Sequence, residues 1–221
     1  MNINVQVEKR TLELTTQELS LAAGANARQA LFPEFMNIIS TKLVYGHVTT
    51  LRVHESIITR MIAKYSEQLV FQPLREIQLW LAYSSGAFIE PGYPPLFYSR
   101  SKSHTVSPNK SAIAAVGEGM AGLLSQWLYH CRKLARPNHD YPDIVMEANR
   151  TTYLVESKAT LSLFGGSGGI KNRLDDELPR MATFVSTCNH IDTRPVRGLL
   201  IGTDIASDYH YNCYITEINQ I

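Results

Sequence analysis

Two strand-like runs, Asp143 to Ala148 and Thr151 to Ala159, are separated only by Asn149-Arg150. A two-residue connection between such runs closes a β-hairpin, so the two segments are expected as antiparallel neighbours. Successive side chains of a strand point to opposite faces, and Glu156 and Lys158, two apart, therefore share one face. Asp143 opens the partner strand thirteen positions before Glu156. Hairpin pairing then brings two carboxylates together with an amine beside them.

That combination has the outline of a metal site. Hard divalent cations such as Mg²⁺ take oxygen ligands, and two carboxylates with a backbone carbonyl and waters make a sufficient partial shell. Such an ion activates water and offsets the charge that develops in phosphodiester hydrolysis. A lysine beside it holds the attacking water or stabilises transition-state charge. Taken singly, each residue has a plainer explanation. An Asp after Pro starts strands by local hydrogen bonding, and a Glu/Lys pair on an edge strand discourages aggregation. The chemistry rests on all three occurring together.

The surrounding sequence supplies a frame for the hairpin. Ser111 to Leu134 reads as an amphipathic helix, with Ile113, Val116, Met120, Leu123, Leu124, Trp127 and Leu128 on its apolar side and Glu118 in its first half. Downstream, Gly165-Gly166-Ser167-Gly168-Gly169 leads into a helix from about Ile170 to Cys188, which Pro179 is expected to kink or divide. The glycine run lacks the Gly-Lys-Ser/Thr ending of a phosphate-cradling loop and reads as a loop near the site. Two further strands are expected, Val196 to Gly202 and Tyr209 to Ile218.

The hairpin and its flanks resemble the PD-(D/E)XK nuclease superfamily, which includes restriction endonucleases. Pro142-Asp143 matches the PD element, Glu156-Ser157-Lys158 matches (D/E)XK, and Gly117-Glu118 matches a helix glutamate found in many members. The resemblance spans Ser111 to about Ile218. It implies a mixed central β-sheet flanked by helices, with Asp143, Glu156, Lys158 and Glu118 as catalytic residues. Asp143, Glu156, Ser157 and Glu118 would form the shell of Mg²⁺, for which Mn²⁺ is a substitute. Lys171, Arg173 and Arg180 are expected to face the nucleic-acid backbone, since phosphate contacts position a duplex without reading it. The implied activity is hydrolysis of DNA phosphodiesters, as in a type II restriction endonuclease, with RNA not excluded and a homodimer as the natural assembly.

The resemblance does not cover the first hundred residues. Ile3 to Leu14 alternates as a strand would, and Thr15-Thr16-Gln17-Glu18 offers a capped helix start. Ile57, Ile58, Met61, Ile62, Tyr65 and Leu69 then recur at helical spacing, and Leu74, Ile77 and Leu81 continue after Pro73. Residues 1–100 are thus expected as a mainly helical accessory region and 101–221 as the nuclease-like core. Between them lie the turn-rich Glu90-Pro91-Gly92-Tyr93-Pro94-Pro95 and the basic, serine-rich Ser99 to His104, read as a boundary or surface loop.

Composition sets outer limits. Lys+Arg 21 against Asp+Glu 20 gives a net charge of +1, which argues against wholesale coating of nucleic acid and leaves a local basic cleft open. Three cysteines without CxxC pairing do not make a disulfide framework, and a reducing cytoplasm is expected. No apolar stretch reaches the roughly 20 residues of a membrane-spanning helix. The seven histidines show no HExxH spacing, so a zinc enzyme is disfavoured, and His139 near the motif carries no assigned role. Two other classes remain: a catalytically inactive nuclease-fold protein that binds nucleic acid or assembles with partners, and an unrelated α/β interaction domain. The intact Asp143, Glu156 and Lys158 speak against the first, and a wide separation of Asp143 and Glu156 would favour the second.

Overall fold

A computed structural model describes residues 1–84, 107–137, 141–162 and 166–221. The segments Glu90 to Pro95 and Ser99 to His104, together with His139, lie outside the described residues. The chain is α/β. Seven strands form one mixed sheet: β1 (Asn2–Leu14), β2 (Gly46–His54), β3 (Arg132–Ala135), β4 (Ile144–Ala148), β5 (Thr151–Leu161), β6 (Val196–Ser207) and β7 (His210–Gln220). Their spatial order is β2-β1-β7-β6-β5-β4-β3. The pairs β1/β7 and β5/β6 are parallel and the remaining pairs antiparallel.

Among the described residues, six α-helices cover the two faces: α1 (Thr16–Ala27), α2 (Phe32–Ile38), α3 (Glu55–Tyr65), α4 (Pro73–Ser84), α5 (Lys110–Tyr129) and α6 (Gly166–Ile191). On one side α3, α4 and α5 bury Ile58, Ile62, Tyr65, Val116, Met120 and Leu124 against Val5, Val7, Val155, Leu199, Ile201 and Ile215. On the other, α1, α2 and α6 bury Leu19, Phe35, Leu174, Leu178 and Met181 against Leu12, Leu154, Leu200, Tyr214 and Ile218. Adjacent residues Leu199, Leu200 and Ile201 of β6 are each fully buried, as a strand covered on both faces requires. No helix among the described residues is long and apolar enough to cross a membrane.

Residues 1–84 hold helices α1 to α4 and also two strands that join the common sheet. The alternation of Ile3 to Leu14 does give a strand, but β1 sits inside the sheet, parallel to β7 over eleven paired positions, and β2 is a second strand beyond it. Gly46–His54 has β-branched residues suited to a strand but lies at the sheet edge, where Val48 is exposed and only Val53 is buried. The helix start at Thr15 is as expected. Its side chain accepts from the Glu18 N–H at 3.3 Å while Glu18 accepts from the Thr15 N–H at 2.8 Å, a reciprocal capping box. Leu69, expected on the α3 stripe, falls beyond the helix and is fully exposed.

Two helix boundaries also differ from expectation. The helix expected from Ser111 to Leu134 ends at Tyr129, where His130 takes a left-handed conformation (φ 55°), and the following β3 was not foreseen. Trp127, placed on the apolar side, is 44% exposed. Pro179 lies within α6, which runs unbroken from Gly166, so Gly166 to Gly169 form its first turn.

Close packing of α5 depends on absent side chains. A Cβ on Gly117 would lie 2.7 Å from the Cβ of Ala159, and one on Gly122 would lie 2.2 Å from the Tyr65 ring. Both are far inside van der Waals contact. These glycines let α5 approach β5 on one side and α3 on the other, which fixes the height of the helix over the hairpin.

Candidate active site

The hairpin forms as its sequence requires. Asn149 and Arg150 both have positive φ (49° and 63°), the backbone of a two-residue turn whose twist matches the flanking strands. Ile144 pairs with Val155 and Ala148 with Thr151. Continued one step, that register sets Asp143 against Glu156. The Asp143 N–H donates to Glu156 Oε2 at 3.1 Å, and the Ser157 N–H and hydroxyl donate to Asp143 Oδ2 at 2.7 and 2.8 Å. The two carboxylates are therefore neighbours at one end of the β4/β5 pair.

Pro142 stands just before this pair, outside β4. Proline has no N–H to give the ladder. In a strand the N–H and carbonyl of one residue point to the same side, and the Ser157 N–H points to Asp143. Tyr141, 2% exposed, fixes the entry to this corner. Its ring packs against Phe184 at 5.1 Å between centroids and under the Arg180 guanidinium at 4.1 Å.

Lys158 completes the cluster. Its Nζ lies 2.8 Å from Glu156 Oε1 and 3.0 Å from Glu177 Oε1 of α6. Burial is the main cause that lifts Glu156 to about 7, and the charge of Asp143 adds to it. Asp143 is also raised, by burial, against the hydrogen bonds from Ser157 and with the charge of Glu118 adding. Burial works against the charge of Lys158, but Glu156 and Glu177 outweigh it and its pKa rises. Both values rise, although a simple ion pair would lower that of the glutamate. They are reconciled by Glu177, a second carboxylate that keeps the lysine charged while Glu156 holds a proton close to neutrality.

Glu118 stands apart from this group. It is 5% exposed, and three donors reach its carboxylate: the Glu67 N–H at 3.0 Å, Gln68 Nε2 at 3.0 Å and Arg136 at 2.9 Å. Its charge acts on Asp143, yet both oxygens serve to tie α5 to the segment after α3 and to Arg136. Among the described residues, no three His, Cys, Asp or Glu side chains converge as a metal-holding group. The acidic centre is thus the pair Asp143 and Glu156.

The basic residues divide. Arg173, Glu177 and Arg180 lie at i, i+4 and i+7 of α6 and so form one stripe beside the hairpin. Arg173 is exposed and reaches the Ala159 carbonyl at 3.4 Å. Lys171 projects elsewhere, over the rings of Tyr214 (4.4 Å) and Tyr45 (5.1 Å), with Glu8 at 3.3 Å. Glu177 and Arg136 were not picked out from the sequence. Glu177's only signal there is its spacing from Arg173 and Arg180.

Comparison with protein-family models, curated proteins and solved structures gives no match to any of the three.

Proposed function

We propose that this chain is a metal-dependent nuclease that hydrolyses DNA phosphodiester bonds, in the manner of PD-(D/E)XK enzymes. The observation that carries the reading is the contact of Asp143 with Glu156 at 3.1 Å, with Lys158 bonded to the same glutamate. The order of elements supports it: helix α5, the β4/β5 hairpin, helix α6 and strand β6 follow as the resemblance implies.

The residues suit a hard divalent cation. Two half-buried or buried carboxylates whose pKa values are both raised repel one another, and a cation between them removes that cost. The Ser157 carbonyl on the same side adds a neutral oxygen. Asp143, Glu156 and Ser157 would hold Mg²⁺ or Mn²⁺, and Glu118 would act on them through its charge. The ion supplies Lewis acidity toward a phosphoryl oxygen and a more acidic water. Lys158 places a positive charge beside the reacting phosphate, and Arg173 and Arg180 offer guanidinium groups to the backbone along α6. Substrate recognition as a type II restriction endonuclease belongs to the same proposal.

The test is cleavage of plasmid and linear DNA with Mg²⁺, with EDTA, and by Asp143→Ala and Lys158→Ala variants under Mg²⁺. Cutting that needs the metal and is lost in both variants is the expected result. Folded wild-type protein that cuts neither DNA nor RNA but binds one of them makes the non-catalytic binding protein the correct reading.

A further inference from the structure

Both oxygens of Glu156 are already engaged, Oε1 by Lys158 and Oε2 by the Asp143 N–H. A divalent cation held by Asp143 and Glu156 must therefore compete with the lysine for one carboxylate. Lys158 is 28% exposed in its side chain, and an ammonium with no partner in such a place is costly. Glu177 changes this balance. It comes from α6, the helix that connects β5 to β6, and touches the same nitrogen at 3.0 Å with its side chain 20% exposed. An ammonium has three donors and can give up one carboxylate while keeping the other.

The other charges on the stripe are turned away. Arg180 lies over the Tyr141 ring and Arg173 is directed at the Ala159 carbonyl. Asp143 is held by Ser157. Glu177 is thus the carboxylate placed to receive Lys158 when Glu156 turns to a cation.

We propose that Glu177 is a positioning residue that retains Lys158 beside the site when a cation takes Glu156, so that cation entry and lysine placement are linked through it. This rests on the metal-dependent reading above. Glu177 touches the lysine and acts through it.

A double-mutant cycle read by Mg²⁺ titration calorimetry on the full chain tests the link. Wild type, Glu177→Gln, Lys158→Met and the double variant are compared, each with its thermal midpoint recorded without metal. Glu177→Gln is expected to weaken Mg²⁺ binding roughly fivefold or more, the lower end of a coupling between two sites. In the Lys158→Met background, where no ammonium needs a second partner, the same substitution is expected to change binding by less than about twofold, the usual error of additivity. Glu177→Asp, which keeps the charge, should stay nearer to wild type than Glu177→Gln. Equal losses in both backgrounds would make Glu177 a ligand or a general source of charge and overturn the proposal, as would no loss in either. Wild-type protein that binds no Mg²⁺ removes the metal-dependent reading and this inference with it, whereas binding with equal losses removes only the role of Glu177.

Discussion

Lys158 Nζ lies 2.8 Å from Glu156 Oε1, two residues back on the same strand, and this contact joins the group that would stabilise charge to the group that would hold the cation. Neither residue can be changed without altering the other's surroundings. Lys158→Ala is expected to lower the cleavage rate by roughly 100- to 1,000-fold, the scale of losing one preorganised electrostatic donor. Single-turnover cleavage at saturating Mg²⁺ measures it, and a loss below tenfold would deny the lysine a part in the chemistry.

The raised pKa of Glu156 makes stability depend on pH. In the folded chain this carboxyl keeps its proton up to about 7, whereas an unfolded glutamate releases it near 4.3 or so. Between those values the folded state binds more protons, so without metal this group's contribution is present at low pH and is lost as pH rises toward 7. Urea denaturation at pH 5 and pH 8 should show a smaller loss in Glu156→Gln than in wild type. The same proton is released when a cation binds below neutrality, so Mg²⁺ affinity should climb between pH 6 and about 8.

Packing of α5 gives a prediction independent of activity. A methyl at position 122 meets the Tyr65 ring, so Gly122→Ala is expected to destabilise the fold by about 1–3 kcal/mol through overpacking. At Gly168, in the first turn of α6, nothing lies within 4 Å of an added Cβ. Gly168→Ala should instead stabilise by about 0.5–1 kcal/mol, the usual gain of alanine over glycine in a helix. Thermal unfolding of the two variants should move in opposite directions.

Glu118 provides a third contrast. Its carboxylate receives Arg136, whose side chain is 13% exposed, along with donors from Glu67 and Gln68. Glu118→Ala is expected to cost about 1–3 kcal/mol of stability by removing the acceptor of the part-buried Glu67 N–H and Gln68 amide, while Arg136 keeps Glu67 and the Tyr65 carbonyl. If denaturation shows no loss while Mg²⁺ binding disappears, Glu118 belongs to the metal shell and its structural role is the lesser one.

What could be read from the chain followed the range of the interactions involved. The β4/β5 hairpin and the meeting of Asp143 with Glu156 depend on a two-residue turn and the period of a strand, both local. Glu177 sits nineteen residues beyond Lys158 in sequence, and their contact exists only because α6 crosses back over the sheet. Glu118 was visible as a helix acid, but its partners Gln68 and Arg136 come from two distant segments. β3 has four residues, all exposed, and so carries no alternation to detect. The place of β1 inside the sheet depends on its pairing with β7, 206 residues further along the sequence.

That last pairing governs how the molecule is made. During synthesis β1 and β2 can meet early as antiparallel neighbours, but the other edge of β1 stays open until His210–Gln220 emerges. Its backbone groups are then an adhesive surface for any other extended chain. The side-chain bond of Arg10 to Thr216, 206 residues apart, forms only once β7 is present. Completion of the sheet is therefore among the slow, nonlocal steps of folding, and a nascent chain halted before β7 is the form most exposed to aggregation.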